Sequence, residues 1–157
     1  MSKTLLIIAH TPSPNTAALA KAGLDACLGY DGYDYGEVKT RCLSPFDITS
    51  PDLLAADALI IGTTENIGYM AGATKDMFDR CYNVWLDQSD AKPVAVYSRA
   101  GLDGTATKRA LTSICSGLKW RLVAEPLILH GDWNDAFCEQ VSDLCLGVAA
   151  GLDAGIF

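Results

Sequence analysis

The chain has 157 residues, half of them apolar and a fifth charged, which is the length of one ordinary domain with enough apolar side chains for a buried core. Twelve Lys and Arg stand against 19 Asp and Glu, a net charge of -7 with no strongly basic segment, so the footprint needed to hold a phosphodiester backbone is missing and no nucleic-acid partner is expected.

The first apolar run, Leu5 to Ala9, is far shorter than the roughly 20 residues of a membrane helix and only Lys3 precedes it, so it reads as a buried strand rather than a signal or an anchor. Lys3 to Ala9 carries this run as a continuous apolar stretch instead of an alternating one, the texture of a strand covered on both faces of a parallel sheet. Helical spacing follows over Thr16 to Leu28, then a weaker strand over Glu37 to Leu43. Ser50-Pro-Asp-Leu-Leu54 is a short helix start, with Ser50 as cap and Pro51 in the first turn. Ala56 to Gly62 repeats the buried-strand texture, and Ala73 to Leu86 places Met77, Phe78, Cys81 and Trp85 on one helical side. Pro93 to Tyr97 is the next strand, followed by a helix over Thr105 to Leu118 carrying Ala110, Leu111, Ile114 and Leu118. A last strand lies over Leu122 to His130, with Pro126 at a bend or on an edge, before a helix over Asp135 to Val148.

Five strands thus alternate with helices, which predicts an α/β three-layer sandwich around a parallel sheet with right-handed crossovers. No repeat, low-complexity tract or linker appears, so residues 1–157 are read as one domain. Six cysteines lie far apart without a Cys-x-x-Cys, a pattern of reduced buried thiols in the cytosol rather than a disulfide framework or a metal site.

Ligands of such sheets bind where the carboxyl ends of strands meet helix starts. Three loops there are rich in hydroxyls, amides and glycines: His10 to Thr16, Thr63 to Met70 and Ser98 to Gly104. In the first, Thr11, Ser13, Asn15 and Thr16 gather hydroxyls and free N–H groups at the positive end of a helix, a seat for phosphate held without Lys or Arg. The plain alternative is that Asn15 or Thr16 only caps the helix. Neither the Gly-Lys-Ser/Thr of a nucleoside triphosphate loop nor Gly-x-Gly-x-x-Gly is present. In the second, Gly62 ends the strand, Gly68 and Gly72 let the backbone approach a flat ligand, and Ile67, Tyr69 and Met70 offer cover for a ring face; Lys75, Asp76, Asp79 and Arg80 then read as helix-surface charges. In the third, Asp103 caps the next helix, and Arg99 is either a solvent-facing cation or the stabiliser of a cofactor that becomes an anion on reduction. His10 and His130 read as hydrogen-bonding spacers, since no Ser-His-Asp or Cys-His pair recruits them. Trp85, Trp120 and Trp133 suit a core, a site cover or a subunit contact. A phosphoacceptor receiver domain would need clustered acids at the first strand end, where His10 stands instead.

Thr11-Pro-Ser-Pro-Asn-Thr16 resembles the flavodoxin phosphate loop, Thr-x-Thr-Gly-Asn-Thr, with Pro14 in place of glycine. Gly62-Thr-Thr-Glu-Asn-Ile-Gly-Tyr-Met-Ala-Gly72, with Lys75 and Phe78-Asp-Arg80, resembles the matching stretch of flavodoxin-like NAD(P)H-dependent FMN and quinone reductases, with Thr64 where these commonly have proline. The resemblance runs over essentially the whole chain. It implies a flavodoxin-like sheet ordered 2-1-3-4-5, noncovalent FMN at its carboxyl edge, and ping-pong electron transfer from NADH or NADPH to a quinone or similar small acceptor, with no protein nucleophile. Thr11, Ser13, Asn15 and Thr16 would hold the FMN phosphate. Thr64, Glu65, Asn66, Ile67, Gly68 and Tyr69 would border the ring system, and Ser98, Arg99, Ala100 and Gly101 would line its other side, Arg99 favouring the reduced anion. Related folds build the nicotinamide pocket partly from a neighbouring subunit, so a homo-oligomer stays open, as do a flavodoxin-like electron carrier docking to redox partners and a flavin-free binding module.

Overall fold

The structure is a computed structural model that describes residues 2–28 and 35–157. In chain order its elements are β1 (Lys3–Ala9), α1 (Pro14–Leu28), β2 (Val38–Leu43), α2 (Ser50–Ala55), β3 (Ala58–Asn66), β4 (Tyr69–Met70), α3 (Gly72–Trp85), β5 (Pro93–Ala100), α4 (Thr105–Gly117), β6 (Arg121–Leu122), β7 (Leu127–His130) and α5 (Ala136–Asp153). The sheet runs β2-β1-β3-β5, and β6 and β7 both pair with the far side of β5. All these pairings are parallel, whereas β4, folded back on β3, is antiparallel. The predicted order 2-1-3-4-5 is therefore present, with the fifth strand in two pieces. Leu122 to His130 does not form one continuous strand, because Pro126 has no N–H for the ladder and the chain leaves it between the two pieces.

Successive strand residues point to opposite faces, and both faces are covered, which is why these strands are apolar throughout. Leu6, Ile8, Leu59, Ile61, Val94 and Val96 pack with Met77, Phe78 and Trp85 of α3 and Leu111 of α4. Leu5, Ile7, Ile60, Ala95 and Tyr97 pack with Leu19 of α1 and Val141, Cys145 and Val148 of α5. Trp85 and Trp120 belong to the first core, 5.8 Å apart between ring centroids, with Phe78 against both. Their polar atoms are satisfied as burial requires: Trp120 Nε1 donates to Ser89 Oγ at 2.8 Å, and Trp85 Nε1 to the Ser50 carbonyl at 3.2 Å.

The ends of elements depart from expectation for local reasons. α1 starts at Pro14, two residues early, since a first-turn proline lacks an N–H the helix could not have used. The residue preceding α2 is Thr49 rather than Ser50: the Asp52 carboxylate accepts from Thr49 N at 2.8 Å and from Thr49 Oγ1 at 2.7 Å. These bonds hold the Asp52 carboxyl below the ordinary carboxylate pKa. α5 runs on to Asp153, and the Lys3 ammonium donates to the Leu152 carbonyl in its last turn. All six cysteines are free thiols, and burial pushes the Cys115 thiol up to about 12. Among the described residues no helix is long and apolar enough to cross a membrane.

Candidate functional site

At the carboxyl edge, Ala9, Gly62 and Tyr97 lie side by side on β1, β3 and β5, and the predicted loops rise just beyond them. In the first loop Ser13 is the cap: Thr16 N donates to Ser13 Oγ at 3.2 Å, Ser13 N donates to Thr16 Oγ1 at 3.0 Å, and the two hydroxyls lie 3.0 Å apart. The cap thus falls on neither Asn15 nor Thr16. Thr16 is buried, whereas Thr11, Ser13 and Asn15 are exposed, and the side chains of Thr11 and Asn15 have no hydrogen-bond partner among the described residues. Of the four predicted donor residues, Thr11 and Asn15 keep unengaged side chains among the described residues, whereas the N–H groups of Ser13 and Thr16 are taken up by the cap and the Thr16 hydroxyl donates to the Ser13 carbonyl at 2.9 Å; an exposed helix start of this kind suits an anion. His10 meets the exposed Phe46 edge-on at 6.2 Å, and burial lowers its pKa from the ordinary 6.5, which favours the neutral imidazole.

The second loop is mostly not a loop. Gly62 does not end its strand: β3 continues to Asn66, turns through Ile67 and Gly68, and returns as β4, with Glu65 opposite Met70 and Asn66 opposite Tyr69. Gly62 lies mid-strand because the Tyr97 ring covers it; a methyl group there would come within 2.1 Å of Tyr97 Cζ. The two turn residues have φ of 52° and 71°, the left-handed pair that a two-residue hairpin requires. Gly68 adopts this freely; a β-branched side chain does so under strain. Ile67 is also fully exposed at the tip. Below it Thr63 Oγ1 lies 2.8 Å from Thr74 Oγ1 of α3, and Thr64 Oγ1 donates to Asn66 Oδ1 at 2.9 Å.

The third loop is likewise shortened by its strand, since β5 extends through Ser98 and Arg99 to Ala100. Thr63 pairs with Ser98 and Thr64 with Arg99, so the second and third sets of predicted residues are brought together. One further bond joins them: Leu102 N donates to Glu65 Oε1 at 2.8 Å. Ser98 is buried and its Oγ has no partner among the described residues. Ala100 is fully buried, while Gly101 is exposed with open space where a side chain would stand. Arg99 is not a free surface cation. It donates to the carbonyls of Ala100 at 2.9 Å, Leu129 at 2.8 Å and Gly131 at 2.6 Å, and its guanidinium lies over Phe137 at 5.1 Å and Trp133 at 6.0 Å. It clamps the segment after β7 against α5 while keeping its charge close to the rim.

Three further contributors to this rim are two residues outside the predicted ones, Phe46 and Leu102, and Trp133, for which a site cover is one of three expected roles. Phe46, Leu102 and Trp133 come from the loops after β2, β5 and β7, and the first two are 65% and 66% exposed. Of these, Phe46 gives no hint in the sequence, whereas Leu102 is an apolar residue in the glycine-rich third loop. Arg80, read as a helix-surface charge, anchors the loop that carries Phe46: Nη1 donates to the Ile48 carbonyl at 2.8 Å and Nη2 to the Pro45 carbonyl at 2.7 Å.

The order of strands and the placement of both helical layers define a flavodoxin-like fold. No protein-family model and no curated protein matches the chain. Solved structures do. A flavodoxin from the domain Archaea superposes with a TM-score of 0.77 at 15% identity, covering 95% of this chain and 98% of its own. The flavodoxin-like WrbA-like protein of Agrobacterium tumefaciens gives 0.67 at 17% identity over 96% of each chain. An oxidoreductase from Corynebacterium diphtheriae gives 0.65 at 16% identity, covering 98% of this chain and 96% of its own.

Proposed function

We propose that the chain binds FMN at this rim and passes electrons from NADH or NADPH to a quinone or similar small acceptor. The observation that carries the reading is the pairing of unlike surfaces at one sheet edge: a neutral, donor-rich helix start beside exposed Ile67, Tyr69 and Leu102. A phosphorylated, flat, largely apolar ring system needs both. The residues fit the group: among the described residues Thr11 and Asn15 have unengaged side chains, Ser98 Oγ is a buried polar atom without a partner, and side chains added at Gly68, Gly72 and Gly101 would meet only open space. Pro14 withdraws one N–H from the phosphate seat and the cap engages those of Ser13 and Thr16, leaving the side chains of Thr11 and Asn15 and the Ser13 hydroxyl as the ready donors.

When bound, FMN supplies two-electron uptake and one- or two-electron release. The chain positions it and sets its surroundings. Thr11, Ser13, Asn15 and Thr16 hold the phosphate, and Thr64 through Tyr69 border the ring with a hairpin that Glu65 ties to Leu102. Ser98 through Gly101 form the opposite wall. Arg99 fixes the neighbouring segment and lends a permanent positive charge that favours negative charge at the rim.

A visible absorption spectrum of the purified protein with added FMN tests binding: a shifted, resolved flavin band on a protein-bound fraction supports the reading, and free-flavin behaviour at millimolar protein removes it. Steady-state oxidation of NADPH and NADH with a quinone then tests turnover. The net charge of -7 favours a second reading, an electron carrier docking to a basic redox partner. A carrier would bind FMN and show almost no nicotinamide oxidation.

A further inference from the structure

We propose that the groove between β4 and α4 seats the phosphate-bearing arm of the nicotinamide dinucleotide, with Arg109 as its charged contact; this rests on the reading above that the rim uses such a donor. The groove has a volume of about 640 Å³, within the range of small-molecule sites, and opens beside Tyr69, a hairpin residue that also borders the rim. It exists because Ala106 and Ala110, one turn apart on α4, leave space beside the Tyr69 ring, itself 40% exposed. A second hollow of about 660 Å³ follows along α4 past Thr112 and Ser116, and Arg109 lines both.

Arg109 stands out by what it lacks. Among the five arginines, Arg41 pairs with Asp52 at 2.9 Å, Arg80 and Arg99 are bound to main-chain carbonyls, and Arg121 lies over Phe157 at 5.9 Å. Arg109 alone has no ion pair, hydrogen bond or ring contact among the described residues. The neighbouring Lys108 is paired with Glu125, so the guanidinium is the free cation of this face of α4 in a chain of net charge -7. Its planar donor fork matches phosphate oxygens, and the hydroxyls of Thr105 and Ser113 on the same wall add neutral donors.

The groove also holds a carboxylate, and its position sorts the ligand's parts. Asp103 accepts from Thr105 N at 3.0 Å, a bond that favours its charged form. A phosphate is repelled from that end and drawn to the Arg109 and Ser113 end, whereas ribose hydroxyls can donate to Asp103. Tyr69 offers a ring face to a base. Guanidinium, carboxylate and aromatic face together describe a nucleotide rather than a simple anion.

Isothermal titration of redox-inert NADP+ and of adenosine 2′,5′-bisphosphate, against FMN-loaded and FMN-free protein, tests the assignment without turnover. Wild type should bind both. Arg109→Ala should weaken binding at least tenfold at 50 mM salt, Arg109→Lys should recover only part of the loss, and Ala106→Leu should block the groove. Circular dichroism checks that each variant folds. No heat with wild type up to millimolar ligand, or wild-type affinity in both Arg109→Ala and Ala106→Leu, overturns the proposal. FMN uptake without bisphosphate binding would sink this site and leave the flavin reading standing; bisphosphate binding to a protein that takes up no FMN would do the reverse.

Discussion

Replacing Ile67 by Asn separates what the hairpin tip does for stability from what it does for binding. Ile67 is fully exposed, so removing its side chain from the ligand-free protein forfeits no buried area, while its φ of 52° carries the penalty of a left-handed L-residue. That penalty is about 1–2 kcal/mol, and asparagine tolerates the region far better, giving the Asn-Gly pair that two-residue hairpins favour. The apo protein should therefore gain about 1 kcal/mol, which raises Tm by about 2–4 °C for a chain of this size. Binding should move the other way. Covering an isoleucine fully is worth about 1.5–3 kcal/mol, so losing roughly half of that contact weakens FMN affinity about four- to twelvefold. Urea unfolding of the apo protein and fluorescence titration with FMN read the two effects separately. A variant less stable than wild type refutes the strain argument; a stabilised variant with unchanged FMN affinity refutes the role of Ile67 as ring cover.

Gly62→Ala should destabilise the chain by about 1–3 kcal/mol, because the new methyl collides with the buried Tyr97 ring, and adding Tyr97→Ala should bring a less than additive further loss in chemical denaturation. Arg80→Ala should lose about 2 kcal/mol by freeing the carbonyls of Pro45 and Ile48, and Arg80→Lys should not restore it, since one ammonium does not reproduce the forked pair. The Asp52 carboxyl has a lowered pKa in the folded state through its bonds to Thr49, so its contribution is present above the unfolded value near 3.8 and disappears as pH falls through the folded one. Asp52→Asn should accordingly flatten the acid limb of a urea-midpoint profile, and an unchanged limb would contradict the assignment. Arg99→Ala should lower the potential of bound FMN and loosen the segment after β7, detected by spectroelectrochemistry and by faster amide exchange near Leu129 to Gly131.

The fold was legible because burial of both sheet faces leaves an unmistakable mark: Leu5 to Ala9, Ala58 to Ile61 and Val94 to Tyr97 are apolar without alternation. The site was legible in outline, since Thr11 to Thr16 and Thr64 to Tyr69 carry turn and capping chemistry next to those runs. What the sequence hid was long-range. Nothing near Gly62 announces the Tyr97 ring that covers it, so the glycine looked like a strand end. The strand pairing of Thr64 with Arg99 carries β3 and β5 onward into segments whose polar residues read locally as loop. Arg80 looks like a surface charge until the carbonyls that hold it, more than 30 residues away, are in place, and it takes the carbonyls of Leu129 and Gly131 to discard the solvent-facing one of the two readings of Arg99.

The first and third loops rise from β1 and β5, which have β3 between them, so their roots stand two strand spacings apart, about 9–10 Å. Main-chain ladders set that gap, and no side chain can widen it. Point substitutions at the rim can repaint the walls of the slot, making it greasier or more charged, but its breadth is inherited from the sheet, and a thicker guest calls for inserted residues rather than exchanged ones.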